Sequence, residues 1–168
     1  MKLREMTEAD IPSLCALERE CFSDPWSERL IRALSDSPWD SCIVLENDAG
    51  EAIGYVNVRV VGSEAELMRI CVTGAQRGKG LSHTLLLEGM REMLRRGAKT
   101  ATLEVRAGNK AAVCLYEAHG FVLKGVRKRY YSNPDEDAAI YCISPVAMDL
   151  TAGSLLTSGQ EHQRRQQV

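Results

Sequence analysis

No apolar run in this chain is longer than six residues, the two longest being residues 111–116 and 138–143. A bilayer-spanning helix needs about eighteen or more, so the sequence predicts no membrane span. Charge of one sign is equally lacking. Twenty-one Lys and Arg against 23 Asp and Glu leave a formal net charge of −2, which removes a global electrostatic case for nucleic-acid binding and leaves only local patches to support one. There is no CxxC pair. The six cysteines (Cys15, Cys21, Cys42, Cys71, Cys114 and Cys142) are far apart and mostly inside apolar stretches. They read as buried, reduced thiols rather than a disulfide framework or a zinc site, and no metal is expected. A catalytic thiol stays open, although no His stands in an obvious partnering context. Aromatic residues make only 5% of the chain, yet 45% is apolar, enough for one core in a single domain of this length. The opening stretch MKLREMTEAD is charged where a secretory signal would build its apolar segment, so a cytoplasmic product is expected.

The pattern predicts a mixed α/β order, β-α-α-β-β-β-α-β-α-β-β. A first strand spans residues 2–6. Thr7 to Asp10 then reads as a helix cap with an acidic first turn, followed by Ile11, Leu14, Cys15, Leu17 and Cys21 at helical spacing. Asp24-Pro-Trp-Ser27 breaks that helix and opens another over 28–34. Strands are expected over 42–46, 53–61 and 65–72. From Leu81 the period turns helical, with Leu86, Met90, Met93 and Leu94 on one face and Gly97 as the stop. A strand over 100–105, a helix over 109–119 capped by Asn109, and strands over 121–131 and 138–150 around a polar turn at 132–137 complete the domain, 1–150. Residues 151–168, poor in apolar side chains, read as a disordered tail.

The chemistry-bearing stretch is Thr73-Gly-Ala-Gln-Arg-Gly-Lys-Gly80, between the strand ending at Val72 and the helix beginning at Leu81. A strand, a glycine-rich loop and a helix N-terminus together make a phosphate-binding arrangement, because free backbone N–H groups converge and the helix end adds positive potential. Arg77 and Lys79 add charge there. A Walker A loop fails twice, since Gly74 and Gly78 have only three residues between them and Gly80 follows Lys79. A dinucleotide fingerprint fails at its third glycine, where His83 stands. The remaining reading is the acetyl-coenzyme A loop (Arg/Gln)-x-x-Gly-x-(Gly/Ala) of the GNAT acetyltransferases, which Arg77-Gly-Lys-Gly-Leu-Ser82 resembles with Ser82 at the last small position.

Downstream, Asn109-x-x-Ala112-x-x-Leu115-Tyr116-x-x-x-Gly120-Phe121 resembles the second GNAT signature, in the right order and separation. Asp24-Pro-Trp-Ser-Glu28, Leu103-Glu-Val-Arg106, Leu115-Tyr-Glu117 and Arg129-Tyr-Tyr131 are similar to the RimI-type protein-alanine N-acetyltransferase subfamily, over about residues 2–150. The resemblance implies a central mixed, mostly antiparallel sheet of about seven strands with flanking helices. It implies acetyl-CoA as cosubstrate and a protein N-terminal amine, that of an N-terminal alanine of a small-subunit ribosomal protein, as acceptor. By that likeness Glu104 is the base and Tyr116 the acid. Ile70, Cys71 and Val72 contact the pantetheine arm, where the fourth and fifth strands splay. Arg77, Gly78, Lys79, Gly80, Leu81, Ser82 and His83 surround the pyrophosphate, and Asn109 touches the cofactor further along. Pro25, Trp26 and Ser27, with Tyr130 and Tyr131, wall the acceptor slot. Asp135, Glu136 and Asp137 either favour a basic peptide or form a solvated turn. Three other readings stay open: a GNAT enzyme acting on a small-molecule amine, a broad-specificity N-terminal or lysine protein acetyltransferase, and a non-catalytic acetyl-CoA-binding module.

Overall fold

The computed structural model describes residues 1–144. Among them the elements are β1 (Lys2–Glu5), α1 (Ile11–Cys21), α2 (Glu28–Asp36), β2 (Asp40–Glu46), β3 (Ala52–Val61), β4 (Glu64–Val72), α3 (Leu81–Arg95), β5 (Thr100–Arg106), α4 (Lys110–Ala118), β6 (Val122–Tyr131) and β7 (Glu136–Ile143). This is the mixed α/β order the pattern predicts. Short 3-10 turns at Glu8–Asp10 and Gly74–Gln76 lead into α1 and away from β4. The expected tail, 151–168, and the end of the last expected strand, 145–150, lie outside the described residues.

The helix ends follow from local chemistry. Asp10 accepts the Thr7 N–H at 2.7 Å and its hydroxyl at 2.9 Å, and takes both terminal nitrogens of Arg4 at 2.7 Å. The Arg4 guanidinium holds the Asp10 carboxyl down at about 2. Ser27 caps α2 by accepting from the Leu30 N–H, and Asn109 caps α4 by accepting from the Ala112 N–H at 3.1 Å. Gly97, at φ +88°, closes α3 in the left-handed conformation that glycine adopts without strain.

The sheet runs β1-β2-β3-β4-β5-β7-β6, antiparallel throughout except for the β4–β5 pair. Helices α3 and α4 cover one face around fully buried Leu85, Leu86, Met90 and Met93; helices α1 and α2 cover the other around Leu14, Ile31 and Tyr55. Each such buried aliphatic side chain contributes about 1.5–3 kcal/mol. Gly89 lets α3 lie close on β3, since a Cβ there would stand 3.1 Å from Val56. Several boundaries differ from expectation by one or two residues, and one of them bears on the site: Glu136 and Asp137, expected in the polar turn, open β7 instead. Glu136 pairs with Tyr131, and Asp137 accepts the Arg129 N–H at 2.9 Å, so the hairpin zips further than its polarity suggests.

The feature that matters for function is a parting of strands. β4 and β5 pair only from Glu64/Thr100 to Leu67/Leu103, although β4 runs on to Val72 and β5 to Arg106. The cause is on the other edge of β4. Between β3 and β4 the register slips from Val58/Leu67 to Asn57/Arg69, leaving Met68 without a partner. Such a bulge bends and twists its strand, here away from β5.

Candidate active site

The parting opens a cleft of about 820 Å³ through the sheet, lined by β4 from Leu67 to Val72, by Glu104–Arg106, and by the α4 residues Ala112, Leu115 and Tyr116. Thr73 donates to Ile53 on β3, so by strand alternation the peptide groups of Ile70 and Val72 turn toward the gap while that of Cys71 turns toward β3. Of the three expected pantetheine contacts, two therefore present backbone and Cys71 presents its side chain.

At one end of the cleft the chain leaves β4 into the glycine loop. Gly78 and Gly80 sit at φ +75° and +76°, a conformation that costs other residues about 1–2 kcal/mol. The amides of Gly78, Lys79, Gly80, Leu81 and Ser82 donate to no protein acceptor among the described residues, so five consecutive N–H groups stand free at the N-terminus of α3. Arg77 is tied back, its Nε donating to the Val72 carbonyl at 3.1 Å. Lys79 is exposed and donates to Gln76 at 2.7 Å, and Leu81 packs against the core. His83 lines the cleft 5.0 Å from the His119 ring. Glu20 on α1 fixes the loop's first turn by accepting the Gly74 N–H at 2.6 Å and the Thr73 hydroxyl at 3.0 Å. Those hydrogen bonds hold its carboxyl below the usual range.

The other candidate residues are distributed as follows. Tyr116 is buried on the α4 side, its ring edge-on to Phe121 at 5.8 Å, and burial pushes its phenol well above the ordinary value. Glu104 faces the opposite side of the sheet, half-buried, with Arg127 Nη1 at 2.8 Å from its Oε1. Tyr131 lines the cleft, stacked under the Arg106 guanidinium at 4.4 Å, its phenol pushed up to about 12 by burial and by the Glu104 charge. Tyr130 is exposed, edge-on to Tyr131. Pro25, Trp26 and Ser27 line a separate hollow with Ile11, Cys15 and Arg19, and reach the cleft only through a neighbour.

That neighbour is Arg69, which sequence reasoning passed over. Its guanidinium lies 4.3 Å from the Phe22 ring and 4.9 Å from the Trp26 ring, and donates to the Asp24 carbonyl at 2.8 Å. Arg106, which the sequence shows only as the end of the Leu103–Arg106 pattern, ties three segments together. It reaches Ser23 at 2.9 Å, the Ser132 carbonyl at 3.1 Å and the Pro134 carbonyl at 3.0 Å. The single signal for both was a long cation on a strand position flanked by apolar residues. Among the described residues no group of three His, Cys, Asp or Glu gathers as a metal site requires, and no helix is long and apolar enough to cross a membrane.

Residues 11–121 match the model of the acetyltransferase (GNAT) family. The chain belongs to the GNAT family. It is 32% identical over 148 residues to the [ribosomal protein bS18]-alanine N-acetyltransferase of Escherichia coli strain K12, covering 87% of this chain and 98% of that one. It is also 32% identical over 139 residues to the N-alpha-acetyltransferase RimI of Mycobacterium tuberculosis, covering 79% and 85%. The crystal structure of the ribosomal-protein-S18-alanine N-acetyltransferase from E. coli superposes with a TM-score of 0.78 at 30% identity, over 85% of this chain and 92% of that chain. The seven-stranded, mostly antiparallel sheet with flanking helices is the GNAT fold, and the parted β4 and β5 are where this GNAT chain opens its cleft.

Proposed function

We propose that this chain transfers the acetyl group of acetyl-CoA to the N-terminal α-amine of a protein, with an N-terminal alanine of a small-subunit ribosomal protein as the acceptor suggested by its relatives. The observation that carries the reading is the cleft itself, flanked by five free amides at one end and holding a carboxylate and a phenol on opposite faces of the sheet. A cytoplasmic site of action goes with it.

The residues present fit acetyl-CoA. The free amides of Gly78 to Ser82 and the N-terminus of α3 suit a diphosphate, and the Ile70 peptide group and the Val72 N–H, on the edge of β4 that β5 leaves, suit an amide-bearing arm laid along β4 in place of β5. Acetyl-CoA supplies an activated thioester. What this chain does is position, deprotonate and reprotonate. An α-amine has a pKa of about 8 and must be neutral to attack. Glu104, paired with Arg127 at 2.8 Å, is a proton acceptor acting through water. The Tyr116 hydroxyl meets no hydrogen-bonding partner among the described residues and is free to give its proton to the departing sulfur. An N–H on the free edge of β4 steadies the oxygen that becomes negative. Attack is direct, with no acyl-enzyme.

Release of free coenzyme A, followed with peptides of different N-termini against polyamines and aminoglycosides, tests the reading. Peptides beginning with alanine are expected to turn over, and preferential acetylation of a polyamine would replace this reading with the small-molecule one. In the same assay Glu104→Gln is expected to lower turnover about 10²-fold near pH 7. The deficit shrinks above pH 8, where the amine loses its proton unaided. A constant deficit at all pH values would remove the base role. Gly80→Ala is expected to weaken acetyl-CoA binding about tenfold by calorimetry, the strain of φ +76° falling on the loop that must hold the diphosphate.

A further inference from the structure

Two thiols that the transfer reaction does not use meet on the wall of this cleft. Cys21 ends α1 and is partly exposed to the cleft, and Cys71 lies buried on β4 beside it. Cys21 packs against the buried cluster that contains Cys71, and Arg77 Nη2 stands 3.4 Å from the Cys21 sulfur. Cys21 also reaches the Val72 carbonyl at 3.7 Å. The expectation of uniformly buried thiols is therefore corrected: Cys15, Cys42 and Cys71 are buried, Cys114 is exposed, and Cys21 and Cys142 are intermediate. Among the described residues, Cys21 combines a partly exposed sulfur, a cation at 3.4 Å and a second thiol in the cluster it packs against.

We propose that Cys21 is a peroxide-reactive modification site, with Cys71 as its resolving thiol, and that their disulfide shuts the acetyl-CoA cleft. Hydroperoxides are the class of oxidant. The Cys21 sulfur attacks one peroxide oxygen, the O–O bond breaks, and an alcohol or water leaves with a proton. That makes Cys21 a sulfenic acid. The Cys71 sulfur then attacks Cys21, the S–S bond forms, the S–O bond breaks, and the hydroxyl departs as water with the Cys71 proton. Two thiols are oxidised by two electrons and one hydroperoxide is reduced.

Each neighbour suits its part. Contact with the Cys71 thiol and with Arg77 holds the Cys21 thiol down at about 7, so much of it is thiolate near neutrality, whereas the adjacent Cys21 and burial push Cys71 up. An attacking sulfur that is ionised and a resolving sulfur that keeps its proton until the second step is the order the chemistry requires. Cys15 and Cys42 are pushed up by burial and are unreactive by the same rule. Bond formation draws the β4 corner at Cys71 and Val72 toward α1 and takes from Arg77 the anion it faces. Both changes fall where the cleft meets the glycine loop.

The effect on the cleft rests on the transferase reading, but the bond does not. The full chain is treated with tert-butyl hydroperoxide, with and without saturating acetyl-CoA, blocked with iodoacetamide, and mapped by mass spectrometry without reduction. A linked peptide pair joining Cys21 to Cys71, slowed by acetyl-CoA and reversed by dithiothreitol, is expected. Calorimetry of the oxidised chain is expected to show acetyl-CoA bound about tenfold more weakly than by the reduced chain. Cys71→Ser should stop the reaction at a Cys21 sulfenic acid that dimedone traps. Oxidation confined to Cys114 or Cys142, or a link that forms equally fast with the cleft filled, overturns the proposal. A reversible link in a protein whose reduced form gives no heat with acetyl-CoA upholds the reactive pair and sinks the cleft-closing effect together with the transferase reading.

Discussion

Tyr116→Phe is expected to lower kcat by about 10²- to 10⁴-fold, the range for loss of a positioned general acid, with little change in KM for acetyl-CoA. The variant keeps the ring, and the ring is what the fold uses: Tyr116 is buried, edge-on to Phe121, beside Leu115 on α4. Thermal unfolding should therefore be almost unmoved. The pH dependence separates this residue from Glu104. Burial pushes the phenol well above its ordinary value, and a proton donor works below its pKa, so Tyr116 stays protonated and competent throughout the accessible range. The wild-type and Tyr116→Phe profiles should run parallel from about pH 6 to pH 9, whereas the Glu104→Gln deficit shrinks as the amine, with its pKa of about 8, deprotonates on its own. Unchanged turnover in the variant, or a deficit confined to one limb of the profile, would take the acid role from this hydroxyl.

Much of this site was legible because its parts are local. The glycine loop, the start of α3 at Leu81 and the Asn109 cap each need only residues within one or two turns, and chain geometry delivers them as read. The strand parting was available only through the family likeness. Its physical cause, the unpaired Met68, depends on which residue of β3 stands opposite, and alternation along β4 alone cannot supply that register. The bulge also switches which residues face which layer. Leu67 points to the α3 side, and beyond Met68 it is Ile70 and Val72 that do, so Arg69 and Cys71 turn to the α1 side together. For the same reason the sequence does not show what Arg69 meets: its partners Phe22, Asp24 and Trp26 are more than forty positions away in the chain. Asp24-Pro-Trp-Ser27 was noticed as a pattern, while its manner of reaching the cleft, by stacking Trp26 on a strand arginine, belongs to tertiary packing. Glu104 carried a role by likeness, but its Arg127 counter-ion lies across β7 on the edge strand β6, where only the sheet order brings it into range.

Glu18→Ala is expected to be the most destabilising single change in the chain. Glu18 sits in the middle of α1 with no solvent exposure, a position where an ionisable side chain persists only if its charge and lone pairs are met. They are met from three elements. The Tyr55 hydroxyl of β3 donates to Oε1, the Trp26 N–H donates to Oε2 at 2.6 Å, and Arg69 of β4 brings its Nε to 3.7 Å. Arg69 Nε has no hydrogen-bond acceptor of its own, and the guanidinium charge is met by this carboxylate, by the more exposed Asp24 at 3.9 Å and by the Phe22 and Trp26 rings. Removing Glu18 leaves a buried phenol, a buried N–H and a desolvated cation at once, for a cost of about 3–5 kcal/mol. With a urea m-value of about 2 kcal/mol/M for a domain of this size, the midpoint should fall by about 2 M. Glu18→Gln, which keeps the volume and an acceptor, should lose less. The split in function is as informative as the stability. Phe22 and Asp24 line the cleft on the side away from the glycine loop, so in the Gln variant KM for the peptide should rise while acetyl-CoA affinity holds. Replacing Glu18 and Arg69 together by Met should recover most of the stability lost in Glu18→Ala, because the cation goes with its counter-charge. If the double variant were as unstable as the sum of its single changes, the carboxylate would be a packing element, and the charge argument for the wall of the acceptor side would fail.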